Sequence, residues 1–230
     1  AYKPEADQMM RGFACLLALC VPLAHCGCLD KDDHPVSTLS ELRNRTKEEL
    51  DAIYLKGCID DDFLLGPAYG EVIYSVLPSL AGDLYRELFG LAWEGSFMQK
   101  TRCKGEDFYF FFSLMNPLDG AKLAQSQITF FPAKAYIGRL PDEKAQLDDC
   151  EAYIYDYSIS KTDCPDEVSL LGRQKYPFDN PPPMNMLIDE SKIVGVDKDN
   201  RPVQLNRVFV KVLPGVLVPL QYEGLLGNPL

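Results

Sequence analysis

Between residues 70 and 222 the sequence changes sides with a period of two, over and over, and that alternation limits the fold more than any other feature. Val72, Tyr74 and Val76 alternate with smaller or polar neighbours. Aromatic and β-branched residues fill 108–114, 128–137, 152–159, 186–196, 208–212 and 216–222. Successive side chains on a pleated strand point to opposite faces, so such runs read as half-buried or fully buried strands. Turn-forming clusters separate them: Asn116-Pro117-Leu118-Asp119-Gly120, Asp179-Asn180-Pro181-Pro182-Pro183 and Asp197-Lys198-Asp199-Asn200. Strands do not alternate with long helical segments, as a parallel sheet would require. Roughly seven to nine strands are expected, in a mainly β (α+β) domain built as an antiparallel β-barrel or sandwich.

Two peripheral helices near the N-terminal side complete the prediction. Thr46 and Glu49 form a capping box, after which Leu50, Ile53 and Tyr54 recur at helical spacing up to Gly57. A second helix is expected after Pro78, where Leu80, Leu84 and Leu88 share one face before Gly90.

Residues 9–28 have the layout of a secretory leader, with Arg11 followed by an apolar run and then small residues. A spanning helix needs ~20 apolar residues, and Pro22 and His25 interrupt this run sooner. Ala24 and Cys26 suit a cleavage that starts the mature chain near Gly27. The expected organisation is a leader at 1–28, acting as signal peptide or uncleaved anchor, a polar linker at 29–36 and one globular domain over 37–230. A cleaved leader implies a secreted or lumenal protein, and a retained one a membrane-anchored protein.

Four cysteines lie in or beside the leader, while Cys58, Cys103, Cys150 and Cys164 are dispersed through the domain. In an exported protein these four are disulfide candidates, with the pairing open. They contain no C-x-x-C pair and His34 is the only histidine after the leader, so no metal site is expected. Asn44-Arg45-Thr46 is a sequon, which makes Asn44 a glycosylation candidate. The net charge of −11 and the lack of a basic stripe argue against nucleic acid as a partner.

Nucleophilic triads lack a histidine base after His34, and no phosphate loop, dinucleotide fingerprint or zinc-protease motif occurs. No cofactor is expected. Carboxylates remain as candidates, at Asp60-Asp61-Asp62, Asp148-Asp149, Asp156, Asp166-Glu167 and Asp189-Glu190. Two of them converging in an apolar pocket would raise one pKa toward neutrality. On the strand around Tyr153-Ile154-Tyr155-Asp156-Tyr157-Ser158, Asp156 shares a face with Ile154 and Ser158, and the tyrosines share the other. Facing inward, Asp156 needs a partner such as Arg139, Arg173 or Arg207. Asp156 and Tyr157 are the catalytic candidates, and Trp93, Phe110, Tyr155 and Asp156 the ligand-binding ones. Trp93 reads equally as a core anchor, and the run of aromatics at 108–112 as a sheet covered on both sides.

Several short elements together resemble an uncharacterised family of small proteins: Glu49-Leu50-Asp51-Ala52-Ile53-Tyr54, the W-x-G element Trp93-Glu94-Gly95, the D-Y-S element Asp156-Tyr157-Ser158, Asp189-Glu190 and Pro214-Gly215. Ser96 stands where that pattern has a lysine, and the stretch between Ser158 and Asp189 is longer. The resemblance implies one continuous domain and no mechanism. The architecture is also lipocalin-like by size, strand content and leader, although Leu91 occupies the glycine position of the lipocalin G-x-W motif.

These observations lead to the expectation of a secreted or lumenal protein that holds a small apolar ligand in a β-barrel. Two alternatives stand beside it. One is a structural or assembly subunit held to a membrane complex by an uncleaved leader. The other is an isomerase- or lyase-type enzyme using a buried carboxylate.

Overall fold

The computed structural model describes residues 36–60, 64–76, 93–115, 128–160, 162–164, 168–170, 174–176 and 180–227. The leader, most of the linker, the expected helix after Pro78, the 116–120 turn, and Asp61, Asp62, Asp166, Glu167 and Arg173 lie outside the described residues.

Eight strands close into an antiparallel barrel. In chain order they are β1 (Gly66–Ser75), β2 (Trp93–Cys103), β3 (Glu106–Met115), β4 (Ile128–Gly138), β5 (Ala152–Asp156), β8 (Leu187–Val196), β9 (Pro202–Leu213) and β10 (Val216–Leu226). Each pairs with its chain neighbour, and β1 closes on β10 through Tyr69 opposite Leu226 and Ser75 opposite Gln221. Closure pairs every strand on both sides and leaves no edge. A small hairpin of β6 (Val168–Leu170) and β7 (Gln174–Tyr176) lies in the connection from β5 to β8 and pairs only with itself.

Local chemistry explains the tight connections. Between β2 and β3 only Lys104 and Gly105 intervene, at φ 53° and 85°. Positive φ at both central positions is the type I′ geometry whose twist matches that of the flanking strands. Between β8 and β9, the Asp197 carboxylate accepts from the backbone N–H groups of Asp199 and Arg201, which fixes the turn.

The outer surface of the barrel is covered in three places. Helix α1 (Leu39–Leu42) and helix α2 (Lys47–Tyr54) lay Leu42, Leu50 and Tyr54 against Ile73, Val194, Leu205 and Tyr222. The expected capping box starts α2, with the Thr46 hydroxyl accepting from Glu49 N–H and the Glu49 carboxylate accepting from Thr46 N–H. Helix α1 was not expected from sequence, because four residues carry no readable period. Residues 139–151 form the second cover, with Leu140 packed beside Ile154, Ile188 and Phe209.

The third cover is the stretch after β5, where Ile159 and Cys164 pack on Phe110 and Phe112. Cys103 and Cys164 form a disulfide across 61 residues of chain, and Cys58 and Cys150 are each disulfide-bonded as well, not to one another. Closing a loop of that length restricts the unfolded chain by about 4 kcal/mol on the chain-entropy model. Serine at both Cys103 and Cys164 is expected to lower unfolding free energy by about 2–4 kcal/mol, measured as a fall in urea midpoint at unchanged slope. An unchanged midpoint would show that the covering stretch is held by packing alone.

Between α2 and the 139–151 segment lies a buried ionic cluster on the outside of the barrel. Arg207 on β9 donates to the Glu190 carboxylate on β8 and, through Nη2, to the Ala145 carbonyl at 3.1 Å. Its guanidinium lies 5.3 Å from the centre of the Tyr54 ring and 5.0 Å from that of Phe209. Lys192 donates to Asp148 at 2.8 Å, and the Tyr222 hydroxyl donates to Asp51 at 2.5 Å. Among the described residues no helix is long and apolar enough to cross a membrane.

Candidate binding site inside the barrel

Strand register decides which side chains share the interior. Tyr153 lies opposite Ser191, Ser191 opposite Asn206, Asn206 opposite Glu223 and Glu223 opposite Val72. In the neighbouring row Tyr155 lies opposite Asp189, Asp189 opposite Val208 and Val208 opposite Gln221. This face is the inner one, because Val72, Met98, Phe111, Ala133, Tyr155 and Leu225 meet in a single cluster although they come from strands around the whole barrel. The opposite face of the same strands carries the residues under α2 and the 139–151 segment.

The interior has two unlike walls. On one side Trp93, Met98, Phe111, Tyr153, Tyr155 and Tyr157 are all buried. The Phe111 and Tyr155 rings stack at 4.0 Å and 11°, and Tyr157 meets Phe111 edge-on at 6.4 Å. Trp93 lies against the backbone of Gly70, where a Cβ would come within 2.6 Å of the indole ring. Any larger residue at Gly70 would displace the tryptophan.

On the other side β8, β9 and β10 present Asp189, Ser191, Gln204, Asn206, Gln221 and Glu223, none more than 6% exposed. Polar groups at that depth are almost always hydrogen-bonded. The Tyr157 hydroxyl donates to Asp189 Oδ2 at 3.3 Å, the Ser191 hydroxyl donates to Gln204 Oε1 at 3.1 Å, and the Gln221 amide donates to the Glu223 carboxyl. Asp189 Oδ1, Gln221 Oε1 and both side-chain atoms of Asn206 have no hydrogen-bond partner among the described residues. Leaving one such group unmet costs about 1–3 kcal/mol.

The two inner carboxyls sit in an environment that resists their ionisation. Burial pushes Glu223 up to about 7, against the hydrogen bond from Gln221. Burial, reinforced by the charge of Glu223, holds Asp189 well above the usual carboxylate range despite the Tyr157 hydroxyl. The basic residues of β8 and β9 offer no relief, since Lys192, Arg207 and Lys211 all lie on the outward face, paired with Asp148, Glu190 and Asp156.

Of the residues singled out from sequence, Trp93, Tyr155 and Tyr157 point into the barrel, and Phe110 and Asp156 point out. The face assignment on β5 holds, with tyrosines on one side and Asp156 on the other. Asp156 is partnered by Lys211 rather than by an arginine, and its Oδ1 also accepts from the Ser158 N–H at 2.8 Å and hydroxyl at 2.7 Å. Asp148 and Glu190 bind Lys192 and Arg207 on the outside, and Asp149 pairs with Arg139 at 3.2 Å. Asn44 is exposed in the turn between α1 and α2, at φ 61°.

No family model, curated protein or solved structure matches this chain. The geometry of the site therefore carries the functional argument.

Sequence reading missed Glu223, Gln221, Asn206 and Gln204. Gln204 and Asn206 belong to β9, which begins at Pro202, six residues before the expected 208–212 run, because polar residues at every second position look like loop when their inward direction is unknown; Gln221 and Glu223 lie toward the end of β10. The available signal was the alternation Val203-Gln204-Leu205-Asn206, with the apolar residues going outward under α2. Among the described residues no group of three His, Cys, Asp or Glu side chains is placed to hold a metal ion. An open, largely polar cleft of about 530 Å³ lies on the outer surface, lined by Arg139, Glu143, Gln146, Leu147, Asp148 and Asp149. Its single apolar side chain makes it a poor match to a small-molecule site, which is usually apolar with few polar groups.

Proposed function

We propose that the protein is a secreted or lumenal binding protein that holds one small ligand inside the barrel. The ligand's apolar body lies against Trp93, Phe111 and Tyr155, and its polar end against the wall of Asp189, Asn206, Gln221 and Glu223. The observation that carries this reading is the set of unmet polar atoms on the inner wall, facing buried aromatic side chains. A barrel filled only for stability gains nothing from burying two carboxyls beside polar atoms that stay unmet on Asp189, Asn206 and Gln221. The disulfides favour an oxidising compartment.

Trp93 is the only tryptophan in the chain and lies inside the barrel, so it reports on this site. Neutral N-phenyl-1-naphthylamine is expected to bind saturably at one site, with energy transfer from Trp93 that disappears in Trp93→Phe. Fluorescence that rises without saturation, or without transfer from Trp93, contradicts interior binding.

One contact favours a second reading, that of an isomerase- or lyase-type enzyme. The Tyr157 hydroxyl bonded to a buried Asp189 carboxyl is the kind of pair that moves a proton at a bound ligand. This transfers the acid–base role expected of Asp156 to Asp189. Exchange of a carbon-bound proton of an interior ligand with deuterated solvent, lost in Asp189→Asn, is its test.

A further inference from the structure

We infer that the barrel's polar wall takes the protonated nitrogen of a small organic cation, a primary amine on an aromatic or alkyl body, with Asp189 and Glu223 as its counter-charges. This rests on the ligand-binding reading above and narrows it to one chemical class.

Three of the unmet atoms are oxygens: Asp189 Oδ1, Gln221 Oε1 and Asn206 Oδ1. Oxygens of this kind call for a ligand that brings donors. An ammonium group brings three and accepts none. Charge points the same way. Two carboxyls share the interior, close enough that the charge of Glu223 raises Asp189, and the lysines and arginine of β8 and β9 are turned outward. An anionic ligand would add a third negative charge in a medium that already disfavours two. A neutral alcohol supplies a single donor and leaves the charge unbalanced.

The register explains how one nitrogen reaches several acceptors. Asn206 and Glu223 are directly opposite on β9 and β10, Gln221 is two residues from Glu223 on the same inward face, and Asp189 is two residues from Ser191, the partner of Asn206 on β8. The four side chains thus form one patch across three adjacent strands. Beside it are Tyr155, the cross-strand neighbour of Asp189, and Phe111, whose stacked rings offer apolar surface and electron-rich faces that attract a cation or an aromatic body. Asn206 stands apart from the acidic pair as evidence. It is fully buried, and its side-chain amide meets no hydrogen-bond partner among the described residues.

The test compares three probes of one shape: phenethylamine, 2-phenylethanol and 3-phenylpropionate, titrated calorimetrically into the intact disulfide-bonded chain at pH 8. The amine is expected to bind at least tenfold more tightly than the alcohol, and the carboxylate most weakly. Glu223→Gln, which keeps the size of the side chain, is expected to weaken the amine at least tenfold and to narrow its advantage over the alcohol by a similar factor. If that variant loses its far-UV circular dichroism, Asp189→Asn is measured in its place with the same expectation. Equal or tighter binding of the alcohol or the carboxylate overturns the inference, as does an amine affinity untouched by the variant. Should none of the three bind while N-phenyl-1-naphthylamine still enters, the cation assignment falls and the ligand-binding barrel stands. Failure of that neutral probe as well removes the underlying reading.

Discussion

Arg207→Ala is expected to destabilise the protein by about 3–5 kcal/mol, the typical cost of stranding the partner of a buried ion pair. Arg207 and Glu190 have side-chain exposures of 7% and 6%, so neither recovers much solvation when the other is lost. Burial already pushes the Glu190 carboxyl up, with Arg207 opposing that shift. The variant also removes the bond to the Ala145 carbonyl and the stacking with Tyr54 and Phe209, which together tie α2, β8, β9 and the 139–151 segment. The double variant Arg207→Met, Glu190→Leu isolates the charge effect. It is expected to recover most of the loss in a urea titration, because no uncompensated charge remains. A double variant as unstable as Arg207→Ala would mean that packing and the Ala145 bond dominate.

Glu223→Gln is expected to raise stability at pH 8 by about 3 kcal/mol and to change it little near pH 4. In the unfolded chain the glutamate titrates at its ordinary value near 4.5, and in the folded protein at about 7. Between those values the folded state holds a proton that the unfolded state has released, so stability falls as pH rises through this window. The loss is complete above the folded value. A shift from 4.5 to about 7 corresponds to about 3 kcal/mol at 1.36 kcal/mol per pKa unit. Glutamine never ionises and keeps a similar shape, so the penalty is absent at every pH. Thermal or urea unfolding of both proteins from pH 4 to pH 8.5 checks this. Parallel curves would show that Glu223 ionises as freely in the barrel as in the unfolded chain. A residue whose removal stabilises the fold while weakening amine binding is the expected pattern where stability is given up for function.

The barrel was legible in the sequence because β3, β4, β5, β8 and β10 carry dense β-branched and aromatic residues between recognisable turns. Two strands were harder. Residues 93–103 of β2 include Glu94, Gln99, Lys100 and Arg102, and 202–207 of β9 carry Gln204, Asn206 and Arg207. Both look solvent-facing until the structure shows what covers each side. The choice between barrel and sandwich depended on pairing of β1 with β10, a contact between distant parts of the chain that no local pattern encodes. The site was only partly visible for the same reason. Trp93, Tyr155 and Tyr157 stand out by residue type, and Asp189 was among the carboxylate candidates. Glu223 sits between Tyr222 and Gly224 in a segment that gives no sign of facing inward, and Asp189, two strands away in the same inner patch, lies 34 residues earlier in the chain.

The central claim is that the inner wall of β8, β9 and β10 is where a ligand binds. The most direct measurement follows side-chain amide signals by two-dimensional NMR as ¹⁵N-labelled protein is titrated with phenethylamine and, separately, with N-phenyl-1-naphthylamine. The Asn206 and Gln221 amide signals are predicted to shift and saturate with the ligand, while the Arg207 Nε–H signal on the outer face stays in place. Shifts confined to Arg207 and the 139–149 cleft, with Asn206 and Gln221 unmoved, would contradict the account.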